Sequence, residues 1–254
     1  SSDLPDARAS ARTPAPTATG VESMGLEDPP TERVPHALLP AAVLPERYAD
    51  RGLIGMGGMG EVRRVYDRVL DRMVAMKLVR AERAALPHAR TRFTTEARGT
   101  ARLAHPGIVP IYDQGITPDG RPYFTMQEIR GEDLSNLIER LHRDSAAGQL
   151  PSGFRRLVDL LERAARAVAH AHALGVVHRD IKPSNMVIGE HGEVTVVDWG
   201  LVRAAGVEKG SIQGTPAYMA PEQARGGAVD ARSDVYGLGM VLWEICAGTH
   251  PFAG

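Results

Sequence analysis

One ordered run of side chains constrains this 254-residue chain more than any other feature. His178-Arg-Asp-Ile-Lys-Pro-Ser-Asn185 is followed by Asp198-Trp-Gly200. The run places an acid, a lysine and an amide on one predicted loop, with a second acid soon after. Any one acid is more often a capping or turn residue, but the length and order of the run argue against that for the whole set. Together these groups suit a site that holds metal ions beside the phosphates of a nucleoside triphosphate.

The basic residues supply an independent indication. The chain has three lysines and 27 arginines, so nearly every basic site is an arginine. Lys77 and Lys182 stand where phosphoryl transfer needs a compact ammonium rather than a planar guanidinium. The third, Lys209, is interpreted as a solvated loop charge.

Composition excludes several classes of protein. A net charge of -1 with 43% apolar and 24% charged residues is ordinary for a globular protein, and gives no basic field for nucleic acid. The single cysteine, Cys246, excludes an internal disulfide and a cysteine metal cluster, and its apolar surroundings predict an inert buried thiol. No apolar run reaches about 18 residues, so no membrane span is predicted and we expect a cytoplasmic location.

The chain divides into three predicted regions. Residues 1–46 are predicted to be a disordered leader, because the first 45 residues hold eight of the 18 prolines and no aromatic residue. Residues 47–129 read mostly as strands, with one helix at about 91–103. Alternation along Met73–Val79 places Ala75 and Lys77 on one face, and Asp119-Gly120 predicts a hairpin turn.

Residues 130–254 read mostly as helices. A stripe of apolar residues predicts a helix that ends at Gly175, and a second apolar helix is predicted around 235–245. Short strands are expected at 176–177, 186–188 and 194–197. We therefore predict an α+β fold of two lobes, a small antiparallel sheet with one main helix and then a mainly helical lobe, with a cleft between them.

A glycine-rich turn precedes the strand that carries Lys77. Gly55, Gly57 and Gly60 form a G-x-G-x-x-G pattern, with Gly58 at one of its variable positions. By itself this pattern also occurs in dinucleotide-binding folds or in a flexible hairpin. A dinucleotide site needs a helix after the last glycine, whereas a strand is predicted here. The context therefore favours backbone amides laid over nucleotide phosphates between two antiparallel strands.

Each catalytic candidate has a predicted role. Lys77 is expected to pair with the α- and β-phosphates and to be held by Glu96. Asp180 is the predicted catalytic base, and Lys182 is expected to neutralise charge on the transferring group. Asn185 and Asp198 are the predicted Mg²⁺ ligands.

The segment after Asp198 is predicted to form the floor for a peptide. Thr215 is placed to touch Asp180 and Lys182. Ser211 is the one hydroxyl residue between Gly200 and Gly214, and a phosphate on it could dock on Arg179 and order the loop. The alternative is that Ser211 is an ordinary loop serine.

Taken together, these residues resemble the eukaryotic-type protein kinase family, and specifically its bacterial Ser/Thr branch, from about Tyr48 to Gly254. The resemblance implies ATP and Mg²⁺ as cofactors. It implies Met126 as the gatekeeper, Gln127 to Ile129 as the hinge that binds adenine, and Asp133 near the ribose. Val62, Ala75 and Val187 would enclose the ring, and Asp234 would brace the catalytic loop.

Two departures from the family pattern stand out. Trp199 replaces the usual Phe after the metal-binding Asp. The chain also ends soon after the helix around 235–245, so we expect it to be part of a longer protein. On that expectation Glu222 lacks its arginine partner and the apolar underside of this helix is exposed.

The leading interpretation is a bacterial signalling Ser/Thr protein kinase that transfers the γ-phosphoryl group of ATP to protein hydroxyls and to itself. A nucleotide-binding pseudokinase that acts as a regulatory module is the alternative, and a small-molecule phosphotransferase is a weaker one. Expected partners are protein substrates with Ser or Thr. Self-association for phosphorylation in trans would suit Ser211, and the resemblance allows membrane anchoring of a full-length protein.

Overall fold

The computed structural model describes residues 42–57, 60–144, 153–199, 203–204 and 214–252. Most of the predicted leader, Gly58, Lys209 and Ser211 lie outside these residues. An antiparallel five-stranded sheet forms the first half, in the order β1-β2-β3-β5-β4. Its strands are β1 (Tyr48–Met56), β2 (Gly60–Asp67), β3 (Arg72–Val79), β4 (Ile111–Ile116) and β5 (Pro122–Met126). The strand after Gly60 excludes the helix that a dinucleotide site requires there.

Two helices follow β3. These are α1 (Ala81–Ala84), which was not predicted, and α2 (Pro87–Ala101). Helix α2 begins four residues before the expected Thr91, with Pro87 in its first turn. Proline is tolerated there because the N–H groups of the first turn have no partner within the helix. Phe93 and Ala97 of α2 pack against Phe124 of the sheet, and the two phenyl rings lie 4.9 Å apart. This packing turns Glu96 towards the sheet.

The second half is mainly helical. Its elements are β6 (Glu132–Asp133), α3 (Leu134–Arg143), α4 (Phe154–Ala173), β7 (Val176–Val177), β8 (Met186–Ile188), β9 (Val194–Val196), β10 (Arg203–Ala204), α5 (Pro221–Ala224) and α6 (Ala231–Ala247). Strands β6, β8 and β9 form one small sheet, and β7 pairs with β10. The polypeptide leaves α4 through Gly175 at φ 73, as the sequence predicted.

The main hydrophobic core lies under α4. The predicted apolar stripe of this helix is buried throughout: Leu157, Leu161, Ala164, Val168 and Ala171 are each at most 6% exposed. It packs with α6 through Val241 and Ile245 and with the strands β8 and β9. A separate cluster covers the sheet around Tyr48, and Ala42 and Leu44 pack against it, so contacts with the fold begin before β1.

Helix α6 departs from the sequence prediction at Cys246. The thiol is exposed, so the prediction of a buried cysteine is wrong. The inward stripe of α6 runs through Val241 and Ile245, and the next position turns back to solvent. The apolar underside of α6 was expected to be exposed. Val241 and Ile245 are buried, whereas Val235, Leu242 and Trp243 are 59%, 41% and 54% exposed. No helix in the described part of the chain is both long enough and apolar enough to cross a membrane.

Candidate active site

Lys77 connects the sheet, helix α2 and the segment after β9. Its Nζ donates to Glu96 Oε1 at 2.7 Å and to Asp198 Oδ1 at 2.8 Å. The alternation of β3 directs Lys77 to this face, and the packing of α2 brings Glu96 opposite it. The Glu96 side chain is buried and that of Lys77 is only 11% exposed, whereas that of Asp198 is 52% exposed. Three predicted site residues from distant parts of the sequence therefore meet at one point.

Charge pairing controls the protonation of this triad. Burial disfavours the charged form of Lys77, but Glu96 and Asp198 outweigh it and raise the pKa of the ammonium. The attraction of Lys77 holds the pKa of Asp198 below its ordinary value. Burial raises the pKa of Glu96, and the ammonium opposes that shift. Asp198 is thus kept ionised and half-exposed, which suits a metal ligand.

Asp180 lies in a second group of contacts. Its Oδ1 accepts from the backbone N–H of Thr215 at 2.8 Å and from Thr215 Oγ1 at 2.9 Å. Its Oδ2 lies 3.0 Å from Lys182 Nζ, which also donates to Thr215 Oγ1 at 2.6 Å. The structure therefore brings together the predicted base, the predicted charge-neutralising lysine and the predicted threonine.

Asn185 joins this group to Val197, the residue that follows β9. Its Nδ2 donates to the backbone carbonyl of Asp180 at 2.8 Å and to Asp180 Oδ2 at 3.2 Å. The backbone carbonyl oxygen of Asn185 accepts from Val197 N at 2.9 Å. Nδ2 makes both of these side-chain bonds, so Oδ1 remains available as a ligand oxygen.

The oxygens of Asn185 and Asp198 fit Mg²⁺ that arrives with a nucleotide. No group of three or more His, Cys, Asp or Glu side chains suited to a metal occurs among the described residues. Mg²⁺ in phosphoryl-transfer sites needs only one or two protein carboxylates, since phosphate oxygens and water complete its octahedron. The donor set is therefore sufficient for Mg²⁺ bound to a phosphate chain, and too small for a protein-only metal site.

Asp234 lies in the helical half and supports the predicted catalytic loop, residues 178–185. This carboxylate is 1% exposed and accepts the backbone N–H groups of His178 at 2.8 Å and Arg179 at 2.7 Å. It also contacts His172 Nε2 at 2.7 Å. Arg179 adopts φ 73, which is unfavourable for a residue with a side chain and needs such support. The expected contact between Asp234 and this loop is present.

Trp199 is packed tightly behind the site. It is 1% exposed, and its indole ring lies 4.6 Å from the His178 ring. Its Nε1 donates to Val196 O at 3.0 Å, a bond that the Phe usual in the family would lack. His178 Nε2 lies 3.1 Å from Val197 O, and its Nδ1 accepts from Asp180 N at 3.2 Å, which fits one neutral tautomer. The tryptophan thus adds an anchor for the segment that carries Asp198.

The residues predicted to contact adenine line one side of the sheet and the start of the helical half. Val62 pairs with Lys77 across β2 and β3, and Ala75 pairs with Met126 across β3 and β5. Val187 lies in β8, opposite Asp133. The N–H of Gln127 donates to Pro110 O at 3.2 Å, which fixes the start of the predicted hinge beside the sheet. Ile129 follows in the same segment and packs partly against the main core.

Two predicted nucleotide contacts have a structural role as well. Asp133 is the N-cap of α3, where its Oδ1 accepts the N–H of Asn136 at 3.0 Å. Gly60 lies so close to β3 that an added Cβ would stand 2.6 Å from Leu78 O. Gly55 and Gly57 have no such close neighbour. Close strand pairing therefore requires glycine at Gly60 but not at those two positions.

Several contacts of the site were missed from the sequence. Gln223 accepts from Ala220 N at 3.1 Å and donates to Arg179 O at 2.8 Å, which ties α5 to the catalytic loop. Glu222, expected to lack its arginine partner, accepts from Ser233 Oγ at 2.5 Å. His172 could not be singled out either, because a histidine on a helix carries no local signal of a partner 62 residues away.

Comparison with known proteins agrees with this geometry. The family described as Protein kinase domain matches residues 48–254. The DNA damage-responsive serine/threonine-protein kinase RqkA of Deinococcus radiodurans is 41% identical over 85% of this chain and 32% of its own length. Serine/threonine-protein kinase PknB of Mycolicibacterium smegmatis is 40% identical over 83% of this chain and 34% of its own length. Serine/threonine-protein kinase PknA of Mycobacterium tuberculosis is 40% identical over 82% of this chain and 48% of its own length.

The chain thus spans a third to a half of the curated relatives it matches. Proteins of this family generally use ATP and Mg²⁺, in keeping with the oxygen ligands of the site. The match covers both the sheet and the helical half, and the relatives are bacterial. The chain therefore belongs to the protein kinase family and is similar to its bacterial serine/threonine members.

Proposed function

We propose that this chain catalyses transfer of the γ-phosphoryl group of ATP to serine and threonine hydroxyls of proteins, and that it serves bacterial signalling. One observation carries the proposal. Lys77 contacts Glu96 and Asp198 at 2.7 and 2.8 Å at the same time. In protein kinases this ion pair and the metal-binding Asp must both be in place for transfer.

The residues divide the chemistry between them. Asp180 receives the proton of the attacking hydroxyl, or orients that hydroxyl, from a position fixed by Thr215. Lys182 lies 3.0 Å from Asp180 and neutralises negative charge on the transferring phosphoryl group. Lys77, held by Glu96, fixes the α- and β-phosphates. No covalent bond to the protein is needed, since positioning and charge stabilisation account for most of such catalysis.

Mg-ATP is the proposed cofactor and phosphoryl donor. Asn185 Oδ1 and the Asp198 carboxylate would hold Mg²⁺, while the amides of the glycine-rich turn (Gly55, Gly57, Gly58 and Gly60) would cover the phosphates. Val62, Ala75 and Val187 would enclose the adenine, beside Met126 and the backbone of Gln127 and Ile129. Asp133 would approach the ribose with Oδ2, the oxygen that accepts from Asn136 Nδ2 at 2.7 Å and so would share its lone pairs with the sugar.

Preference for serine and threonine rests on two supports. Thr215 bridges Asp180 and Lys182, as the resemblance to Ser/Thr kinases implies, and the relatives reported above are named serine/threonine kinases. We extend the proposal to the organisation of the kinase region, with lobes at 47–129 and 130–254. The proposal includes phosphorylation of Ser211 by a second copy, with the resulting phosphate docked on Arg179 so that it orders the loop.

Intact mass after incubation with Mg-ATP tests the proposal, with Asp180→Asn as the matched variant and peptide mapping of any added phosphate. The proposal predicts phosphate on serine or threonine in the wild type and none in the variant. Nucleotide binding without any transfer, to itself or to protein substrates, would support the pseudokinase alternative instead.

A further inference from the structure

Arg64 lies on the face of the sheet that the proposed nucleotide site uses. Side chains alternate along β2, so Val62 and Arg64 share a face. Their partners in β3 are Lys77 and Ala75, respectively. Arg64 therefore stands beside the surface proposed to cover adenine, and farther from the glycine-rich turn than Val62. We call the space between Val62, Ala75 and the predicted hinge the nucleotide slot; Arg64 lies at its adenine end, away from the phosphates.

The partner of Arg64 is Glu128, in the segment predicted as the hinge. Arg64 Nε donates to Glu128 Oε1 at 2.9 Å, and Arg64 Nη2 donates to the same oxygen. Arg130 Nε lies 3.4 Å from this oxygen as well. The glutamate side chain is only 7% exposed, against 40% for Arg64 and 69% for Arg130.

Glu128 depends on Arg64 for its charge. A buried carboxylate is costly unless it is paired, and its Oε2 is buried without a hydrogen-bond partner in the described part of the chain. Burial pushes the pKa of Glu128 up, but Arg64 and Arg130 overcome this and lower it. The glutamate is therefore held ionised at the edge of the slot by Arg64, the closer of its two arginines.

The Arg64–Glu128 pair joins β2 to the segment after β5, two parts of the fold with no backbone hydrogen-bond pairing between their strands. Strand β2 is separated from β5 by β3 in the sheet order. Two strand spacings amount to about 10 Å, so the Arg64 side chain must cross the face of β3 to reach the segment that follows β5. The small side chain of Ala75, directly opposite Arg64, leaves room for that crossing.

We propose that the Arg64–Glu128 pair positions the nucleotide slot, because it holds β2 against the hinge and so fixes the width of the slot at its adenine end. Neither residue is catalytic; both act through Val62 and the hinge backbone. The inference rests on the proposed function, since it concerns how tightly the same site holds its nucleotide. Loss of the pair lets β2 move away from the hinge, which weakens nucleotide binding and leaves the distant phosphoryl-transfer groups in place.

Three measurements on the full 254-residue chain test this role of the pair. Calorimetry gives the Kd for Mg-ADP, steady-state kinetics give KM and kcat with ATP, and thermal unfolding gives Tm. We expect Arg64→Met and Glu128→Gln each to weaken binding about five- to tenfold, as for partly buried charge pairs. KM for ATP should rise by a similar factor while kcat stays within about twofold. The double variant should bind no more weakly than the worse single variant, because both changes remove one interaction.

Two further variants separate positioning from a general loss of stability. Arg64→Lys should recover most of the affinity, because Arg64 uses a single carboxylate oxygen that an ammonium can also reach. Arg166→Met removes a pair of similar length, 2.7 Å to Glu162 on the exposed side of α4, and should leave Kd and KM unchanged.

Unchanged Kd and KM in Arg64→Met and Glu128→Gln, with a lower Tm, would overturn the inference and leave the pair a purely structural contact. In that case the wild type would still bind Mg-ADP and transfer phosphate, so the proposed function would stand. A wild type that binds no Mg-ADP would instead overturn the proposed function and the inference with it.

Discussion

A single buried carboxylate holds the strained backbone of the catalytic loop. Asp234 accepts two consecutive N–H groups, those of His178 and Arg179, and Arg179 has a left-handed φ of 73. Each carboxylate oxygen has its own backbone donor. Asp180, the next residue, can therefore keep one orientation although it lies on a loop.

Asp234→Asn should damage this arrangement with little change in volume. The amide keeps one acceptor oxygen, so one of the two backbone N–H groups loses its partner, at a cost of about 1–3 kcal/mol. We expect a lower Tm together with a fall in kcat, while the Kd for Mg-ADP changes less, because the adenine contacts lie elsewhere. Asp230→Asn, on the exposed N-cap of the same helix, is the control. A variant with wild-type kcat would show that the loop does not need this brace.

The residues predictable from sequence are those in ordered motifs. Lys77, Asp180, Asn185 and Asp198 occur at fixed spacings that phosphoryl-transfer chemistry requires, and Glu96 follows from its distance along the chain to Lys77. His172, Gln223 and the Arg64–Glu128 pair have no such spacing, because their partners are set by tertiary packing. Cys246 shows the converse error, since an apolar neighbourhood in sequence does not tell which side of a helix faces the core.

At the level of elements, β2 and β3 depend on close approach at Gly60. An added Cβ there would meet Leu78 O at 2.6 Å, whereas at Gly55 its nearest atom, Val62 Cβ, would be 3.8 Å away. The hairpin at Asp119-Gly120 was predictable from its turn signal. The strand order was not predicted, because the pairing of β3 with β5 joins strands that do not follow each other in the chain. The first turn of α2 was not predicted from the sequence. A proline can begin a helix or interrupt one, so Pro87 alone did not show where α2 starts.

Gly60→Ala should therefore separate the two strands beside the glycine-rich turn. We expect a loss of roughly 1–3 kcal/mol in the free energy of unfolding, as for other overpacked sites. Gly55→Ala should change it by no more than about 0.5 kcal/mol. Urea denaturation of both variants measures the difference, and equal stability of the two would contradict the steric account.

An ion pair connects Arg47, the residue before β1, to Asp67, the last residue of β2. Arg47 donates to both oxygens of Asp67, at 2.9 and 2.7 Å. The hydrogen bonds from Arg47, with help from the N–H groups of Val69 and Leu70, lower the pKa of Asp67 from 3.8 to about 2. Since the folded-state pKa is the lower one, the pair stabilises the fold at pH values above 3.8, and this contribution is lost as the pH falls towards 2.

Asp67→Asn should accordingly lower the free energy of unfolding near neutral pH. The difference from the wild type should shrink as the pH is lowered from 3.8 to about 2. Chemical denaturation at a series of pH values measures it. Asp230→Asn, which removes an exposed pair with Arg232, should show a much smaller effect. A difference for Asp67→Asn that stays constant across this range would rule out the ion pair as its source.

For the molecule as a whole, the underside of α6 presents several exposed apolar residues. Val235, Leu242 and Trp243 fall on one stripe and are 59%, 41% and 54% exposed. Contiguous apolar surface of this kind promotes association, whereas single exposed apolar residues are ordinary.

Trp243→Gln should reduce concentration-dependent association of the chain, because it removes the largest apolar side chain from that stripe. Light scattering over a range of protein concentrations measures the change. Leu174→Gln, at an isolated position that is 50% exposed, should have no comparable effect. Identical scattering by the wild type and Trp243→Gln would mean that this surface does not drive association.

Asp180 is proposed to serve phosphoryl transfer rather than nucleotide binding. The most direct measurement is single-turnover transfer from Mg-ATP to peptides that contain serine, threonine or tyrosine, with the wild type and Asp180→Asn, beside the Kd of each for Mg-ADP. We predict transfer to serine and threonine, a fall of at least about 100-fold in the variant, and similar Kd values for both proteins. Equal transfer rates in the two proteins, or tight nucleotide binding by a wild type that transfers nothing, would contradict the account.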